Sequence, residues 1–162
     1  MTPDKANLFD NVYGGDVLKL LDQVAYACAS RHAERHGATL SLDQATFREP
    51  IHADKLPTFL ASVNFAGNTS VEMGTKVIAE DILTQATRYV NSYFLTMVTM
   101  DENRKLCHAP TFTPANPGDV RCRKAAELRR YMRRQFEEKF NQIRADSILS
   151  LEALSNRAVA CR

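Results

Sequence analysis

The sequence predicts an α+β domain in which an antiparallel sheet wraps around one long helix, with a C-terminal helical extension. Three observations predict it. Apolar residues recur every three or four positions over residues 15–36, the pattern then switches to two-residue alternation in four separate runs, and helical spacing returns beyond residue 118. With 162 residues, 44% hydrophobic and 25% charged, the chain can bury one core but is short for a two-domain enzyme.

In the first helix Val17, Leu18, Leu21, Val24, Ala25 and Cys28 form the apolar stripe, no proline interrupts it, and Gly37 is the expected stop. The small residues Ala25, Ala27, Ala29 and Ser30 suit a helix lying close against a sheet. Runs rich in Val, Ile, Thr, Phe and Tyr at 39–47, 58–65, 70–79 and 89–100 read as strands. In the second, Phe59, Ala61, Val63 and Phe65 share a face, as do Val71, Met73, Thr75 and Val77 in the third. Ala66-Gly67-Asn68-Thr69 supplies a hairpin turn, and Asp101-Glu102-Asn103 ends the last strand.

Residues 109–118 carry three of the six prolines and read as a linker between a domain over 1–108 and a basic helical extension over 119–162. Ala125, Leu128, Met132, Phe136, Phe140 and Ile143 give the extension an apolar stripe that must dock on the domain or on a neighbouring subunit. Its other face holds Arg121, Arg123, Lys124, Arg129, Arg130, Arg133 and Arg134 against one acid, Glu127. A run of this kind is usually a solvated face; here it is also a candidate for the phosphates of a nucleotide or of RNA.

Composition narrows the chemistry. The four cysteines form no Cys-x-x-Cys pair, which argues against zinc and a disulfide framework, and no apolar stretch is long enough to span a membrane. A reducing cytoplasm is the expected location. A net charge of +2 predicts no polyanionic partner from the global balance, so nucleic acid is not expected. His32 and His36 stand one helical turn apart but lack the carboxylate support of a metal site, so no metal is expected.

The most specific signal is Asp4-Lys5-Ala6-Asn7-Leu8-Phe9-Asp10-Asn11-Val12-Tyr13-Gly14-Gly15, running straight into the helix that carries Asp22. A Gly-Gly pair at a helix start presents unhindered amide N–H groups at the positive end of the dipole, where an oxyanion can be held. The same glycines would also serve a simple turn, and Asn7 and Asn11 could cap the start of the helix. Asp22 falls at the margin of the apolar stripe, where desolvation would make it a better base.

These elements resemble the hotdog-fold acyl-coenzyme A thioesterases, whose Asp-x-Ala-Asn and Gly-Asn-Val-His-Gly-Gly motifs appear here as Asp4-Lys5-Ala6-Asn7 and Asp10-Asn11-Val12-Tyr13-Gly14-Gly15. Leu21-Asp22-Gln23-Val24-Ala25, Ser30-Arg31-His32, Phe47-Arg48-Glu49-Pro50-Ile51-His52 and Asn68-Thr69-Ser70-Val71-Glu72 extend the likeness in order. The resemblance implies a hotdog fold and hydrolysis of fatty acyl-CoA without metal or redox cofactor. It puts the catalytic asparagine on Asn7 and the catalytic carboxylate on Asp22, while the helix-start argument makes Gly14 and Gly15 the candidates for holding the thioester oxygen. The two catalytic groups are expected to meet across a subunit boundary, so the chain should be a dimer at least, with a trimer of dimers as the expected assembly.

Thr69, Ser70, Arg129, Arg130, Arg133 and Arg134 are candidates for contacting coenzyme A. The family usually carries a further strand ahead of the Asp-x-Ala-Asn element, a histidine where Tyr13 stands and often a glycine where Ala53 stands. The alternative reading is a noncatalytic hotdog module that senses acyl-CoA or binds nucleic acid through the basic helix. Retention of both Asn7 and Asp22 argues against it.

Overall fold

The computed structural model describes residues 5–160, with side chains through residue 147; Asp4 of the first motif and Cys161 lie outside the described residues. Helix α1 (Gly14–Ala33) is followed by strands β1 (His36–Leu42), β2 (Lys55–Ala66), β3 (Ser70–Asp81) and β4 (Thr87–Met100), then helix α2 (Pro117–Ala160). The strands form one antiparallel sheet in the order β1-β4-β3-β2. Two compact units divide the chain, the first up to Arg123 and the second from Lys124.

In the first unit α1 contacts all four strands, as the predicted fold class requires. Val17, Leu21, Ala25, Ala29 and Ala33 line its buried face one turn apart, and the last three are small enough for the sheet to come close. Val71, Met73, Thr75, Val77 and Ala79 of β3 answer them from the sheet, with Tyr93, Leu95 and Met97 of β4 beside them. The predicted alternation therefore marks the core face.

Several boundaries differ from expectation. Helix α1 ends at Ala33 because Glu34 turns into the left-handed region (φ 51°), so Gly37 does not stop the helix and instead lies in β1 beside Thr99. Strand β1 begins earlier and ends at Leu42; residues 43–47 leave the ladder as an irregular strap. Helix α2 takes in Pro117 and Gly118, which the sequence reading put in the linker. Asn116 Oδ1 accepts the Asp119 amide at 3.0 Å and Pro117 fills the first helical position, where its missing N–H costs nothing.

In the second unit α2 is one continuous helix as far as Ala160. Leu128, Met132, Phe136, Phe140 and Ile143 are all exposed in the single chain, and Phe136 stacks on Phe140 at 6.4 Å between centroids. No helix among the described residues is long and apolar enough to cross a membrane.

Candidate active site

A small hairpin leads into α1. Ala6 pairs with Val12, the Tyr13 amide donates to Lys5 O at 3.0 Å, and the Asn7 amide donates to Asn11 O at 2.8 Å. Asn7 Oδ1 holds the turn from inside, accepting the amides of Phe9 (2.9 Å) and Asn11 (3.2 Å). That use of Oδ1 fixes the amide orientation and leaves Nδ2 as an outward donor. Asp10 carries φ 56°, a left-handed conformation that asparagine and aspartate tolerate best after glycine. The motif's glycine at this position and the aspartate found here thus satisfy the same backbone demand.

A second backbone pairing secures the hairpin: the Val12 amide donates to Ile51 O at 2.7 Å and the Ala53 amide to Asp10 O at 2.9 Å. Asn11 Oδ1 is buried and accepts no hydrogen bond among the described residues. Neither Asn7 nor Asn11 caps α1, in contrast to the structural role considered for them. Tyr13 occupies the cap position and its side chain makes no cap hydrogen bond, so no side chain caps the amides at the positive helix end beside Gly14 and Gly15. A Cβ placed on Gly15 would meet nothing within 4 Å, so that face is open.

Asp22 lies eight residues beyond Gly14, about 12 Å along the helix axis at the usual rise. It is exposed in the protomer, so the burial expected around it is not supplied by the single chain. Its Oδ1 accepts a hydrogen bond from Thr39 Oγ1 on β1. Thr39 also lies 3.4 Å from Met97 Sδ, but its one hydroxyl proton goes to the carboxylate, the stronger acceptor. Thr39 is the site residue that the sequence reading missed, since a threonine opening a strand carries no distinguishing signal.

Two cavities flank α1. One of about 320 Å³ lies at its N-terminal end, lined by Val12, Gly14, Val17, Ile51, Val90 and Tyr93 with residues 47–50 of the strap. The other, about 540 Å³, lies at the C-terminal end among Tyr26, Glu34, His36 and Asp101 and holds none of the expected site residues. Thr69 and Ser70 are at the sheet end opposite the glycine pair: Thr69 O accepts the Thr99 amide at 3.0 Å, and Ser70 pairs with Val98. One chain therefore does not bring them to Gly14 and Gly15.

Arg129, Arg130, Arg133 and Arg134 stand together on α2 in the second unit. Burial, then Arg134 and Arg133, pull Arg130 below its ordinary value. The two histidines considered for a metal have other neighbours, His32 Nε2 at 3.2 Å from Pro110 O and His36 Nδ1 at 3.4 Å from the Tyr26 hydroxyl.

Comparison with known proteins adds the family. The sequence pattern of the thioesterase superfamily matches residues 9–86. Protein VdlD of Helicobacter pylori is 42% identical over 133 residues, covering 82% of this chain and 76% of that protein. An uncharacterized acyl-CoA thioester hydrolase of Bacillus subtilis, YkhA, is 27% identical over 90% of this chain and 84% of its own. The acetyl-coenzyme A thioesterase of Mus musculus is 34% identical over 81% of this chain but only 24% of its own. Among solved structures, the acyl-CoA hydrolase of Bacillus cereus superposes with a TM-score of 0.79 at 25% identity, covering 88% of this chain and 89% of that one. An apo-hexameric acyl-CoA thioesterase gives 0.80 at 27% identity over 83% and 86%.

Proposed function

Since the chain belongs to the hotdog-fold thioesterase superfamily and is a thioester hydrolase, we propose that it cleaves fatty acyl-CoA to free fatty acid and coenzyme A, with Asn7 and Asp22 as catalytic residues. The observation that carries this reading is α1 itself, which has uncapped glycine amides at its start and a carboxylate anchored by Thr39 two turns on. Relatives named as acyl-CoA hydrolases support the substrate class.

In this mechanism the thioester oxygen sits at the Gly14 and Gly15 amides, with Asn7 Nδ2 as a further donor. The Thr39 hydroxyl occupies Asp22 Oδ1, so Oδ2 is the basic atom. It takes a proton from water as the oxygen adds to the carbonyl carbon. The oxyanion is held by the amide donors, the C–S bond then breaks, and the thiolate leaves with the proton returned by Asp22. Direct attack by Asp22 to give an anhydride, which water then opens, uses the same groups.

The site is assembled from two chains. Supporting this, Asp22 is about 12 Å along the helix from the glycine pair of its own chain. Leu8 and Phe9, at the tip of the turn held by Asn7, are 101% and 82% exposed and need a cover. A trimer of dimers is the proposed assembly, by likeness to a hexameric relative. Thr69 and Ser70 of one chain and the arginines of α2 are the proposed contacts for coenzyme A. A reducing cytoplasm, suited to the free Cys28, Cys107 and Cys122, is the proposed location.

One solved relative supports the choice of residues. Variants of the Staphylococcus aureus acyl-CoA hydrolase, itself solved with butyryl coenzyme A, replace an asparagine, an aspartate and a threonine with the sequence spacing of Asn7, Asp22 and Thr39 here.

The test is release of free thiol from acyl-CoA by the wild-type chain and by Asp22→Asn. The variant keeps the shape and removes the base, so turnover should fall by about 10²- to 10⁴-fold with the assembly intact. Unchanged turnover in a folded variant would remove Asp22 from the mechanism.

A further inference from the structure

The strap continues over residues 43–54 between β1 and β2, only its first part, 43–47, falling in the predicted strand, and it borders the cavity beside the glycine pair. It is tied down on both sides of Phe47. Asn91 Nδ2 donates a hydrogen bond to Thr46 O on one side. On the other, Arg88 donates to Glu49 Oε2 and to Pro50 O, each at 2.7 Å. Between these ties the tip of the Phe47 ring meets the start of α1, so that a Cβ on Gly14 would come within 3.1 Å of Phe47 Cζ. Tyr93 packs on it from β4 at 6.1 Å between centroids.

The ring lines the cavity of about 320 Å³ and is itself 50% exposed in the protomer. Phe47 thus forms part of the cavity's border toward the protomer surface, next to Gly14. Apart from Arg48 and Glu49 of the strap, which are charged and exposed, the side chains that line the cavity with Phe47 are Val12, Val17, Pro50, Ile51, Val90 and Tyr93, of which all but Pro50 are buried. Such a lining holds a hydrocarbon chain and disfavours a charged or hydrated group.

We propose that this cavity receives the acyl chain of the thioester and that Phe47 sets the length accepted, making it a specificity-determining residue outside the catalytic set. The proposal rests on the acyl-CoA reading above. At about 30 Å³ per water-sized group, which is also the space of about one methylene, the cavity of about 320 Å³ holds about ten such groups, so a chain of roughly ten carbons fills it. A longer chain has to pass through the border at Phe47.

The experiment measures kcat/KM by thiol release for acyl-CoA substrates from two to sixteen carbons with wild type, Phe47→Ala, Phe47→Leu and Phe47→Trp. Wild type should peak at medium length. Phe47→Ala opens that border and should raise the sixteen-to-eight-carbon ratio by at least about tenfold, the effect of roughly 1.4 kcal/mol, while acetyl-CoA hydrolysis stays within about threefold. Phe47→Leu, which fills most of the space, should give a smaller shift, and Phe47→Trp should move the optimum to shorter chains. If Phe47→Ala fails to fold, the opposite shifts of Leu and Trp decide the matter. Equal changes at every length, or none, overturn the proposal while leaving the acyl-CoA reading standing. Absence of hydrolysis by wild type at every length overturns the acyl-CoA reading first.

Discussion

A carboxylate on an exposed helix face is an ordinary residue until something fixes its direction, and here the Thr39 hydroxyl does so for Asp22. The contact crosses from helix to sheet over 17 positions of sequence, so no local pattern announces it. In the proposed mechanism Thr39 acts through Asp22, as a positioning residue. Thr39→Val keeps the shape and the strand preference but removes the donor; a hydrogen bond to a charged group contributes about 1.5–3 kcal/mol, so kcat should fall about 10- to 100-fold with KM nearly constant. Thr39→Ser, which restores the hydroxyl, should recover most of the loss. Parallel loss in both variants would make the contribution one of packing. Asp10 teaches the complementary lesson, since its motif position was visible in the sequence while the reason for it, a positive φ beneath the Asn7 turn, emerges only with the backbone.

Strand periodicity foretold the core face of β3 because alternation is enforced by burial on one side of a sheet. What alternation did not reveal is the bulge between Val63 and Phe65 in β2, which places the Asn64 side chain, 3% exposed, against Gly74 of β3. A Cβ at Gly74 would lie 2.5 Å from Asn64 Nδ2, and the buried amide has little room to retreat. Gly74→Ala should therefore destabilise the fold by about 1–3 kcal/mol, the usual cost of overpacking, despite the better strand propensity of alanine. Denaturant midpoints would show it, and an Asn64→Ala background should relieve most of the cost. An unaltered midpoint would mean that the strands part without cost. Element ends were legible only where local chemistry decided them. The hairpin after β2 was read from its turn residues, whereas α1 ended on a left-handed glutamate and β1 gave way to a strap held by side chains of β4. The fold class came from period and order; the strap came from long-range bonds that no window of sequence contains.

At the scale of the whole molecule the decisive question is which chains supply Asn7 and Asp22 to one site. The protomer leaves Leu8 and Phe9 exposed, and it leaves Asp22 far along the helix from its own glycine pair. A site shared between chains makes a quantitative prediction for mixtures. In a dimer with one Asn7→Ala chain and one Asp22→Asn chain, one interface site carries both substitutions and the other carries neither. Random pairing makes about half of all dimers mixed, so co-refolding equal amounts of two nearly inactive variants should restore about one quarter of wild-type activity. If each site instead takes both groups from one chain, every site in the mixture carries one lesion and no activity returns. Thiol release after co-refolding, with mixed dimers isolated by a tag on each variant, separates the two outcomes. Activity should follow the doubly tagged fraction, and recovery confined to singly tagged dimers would contradict the shared site.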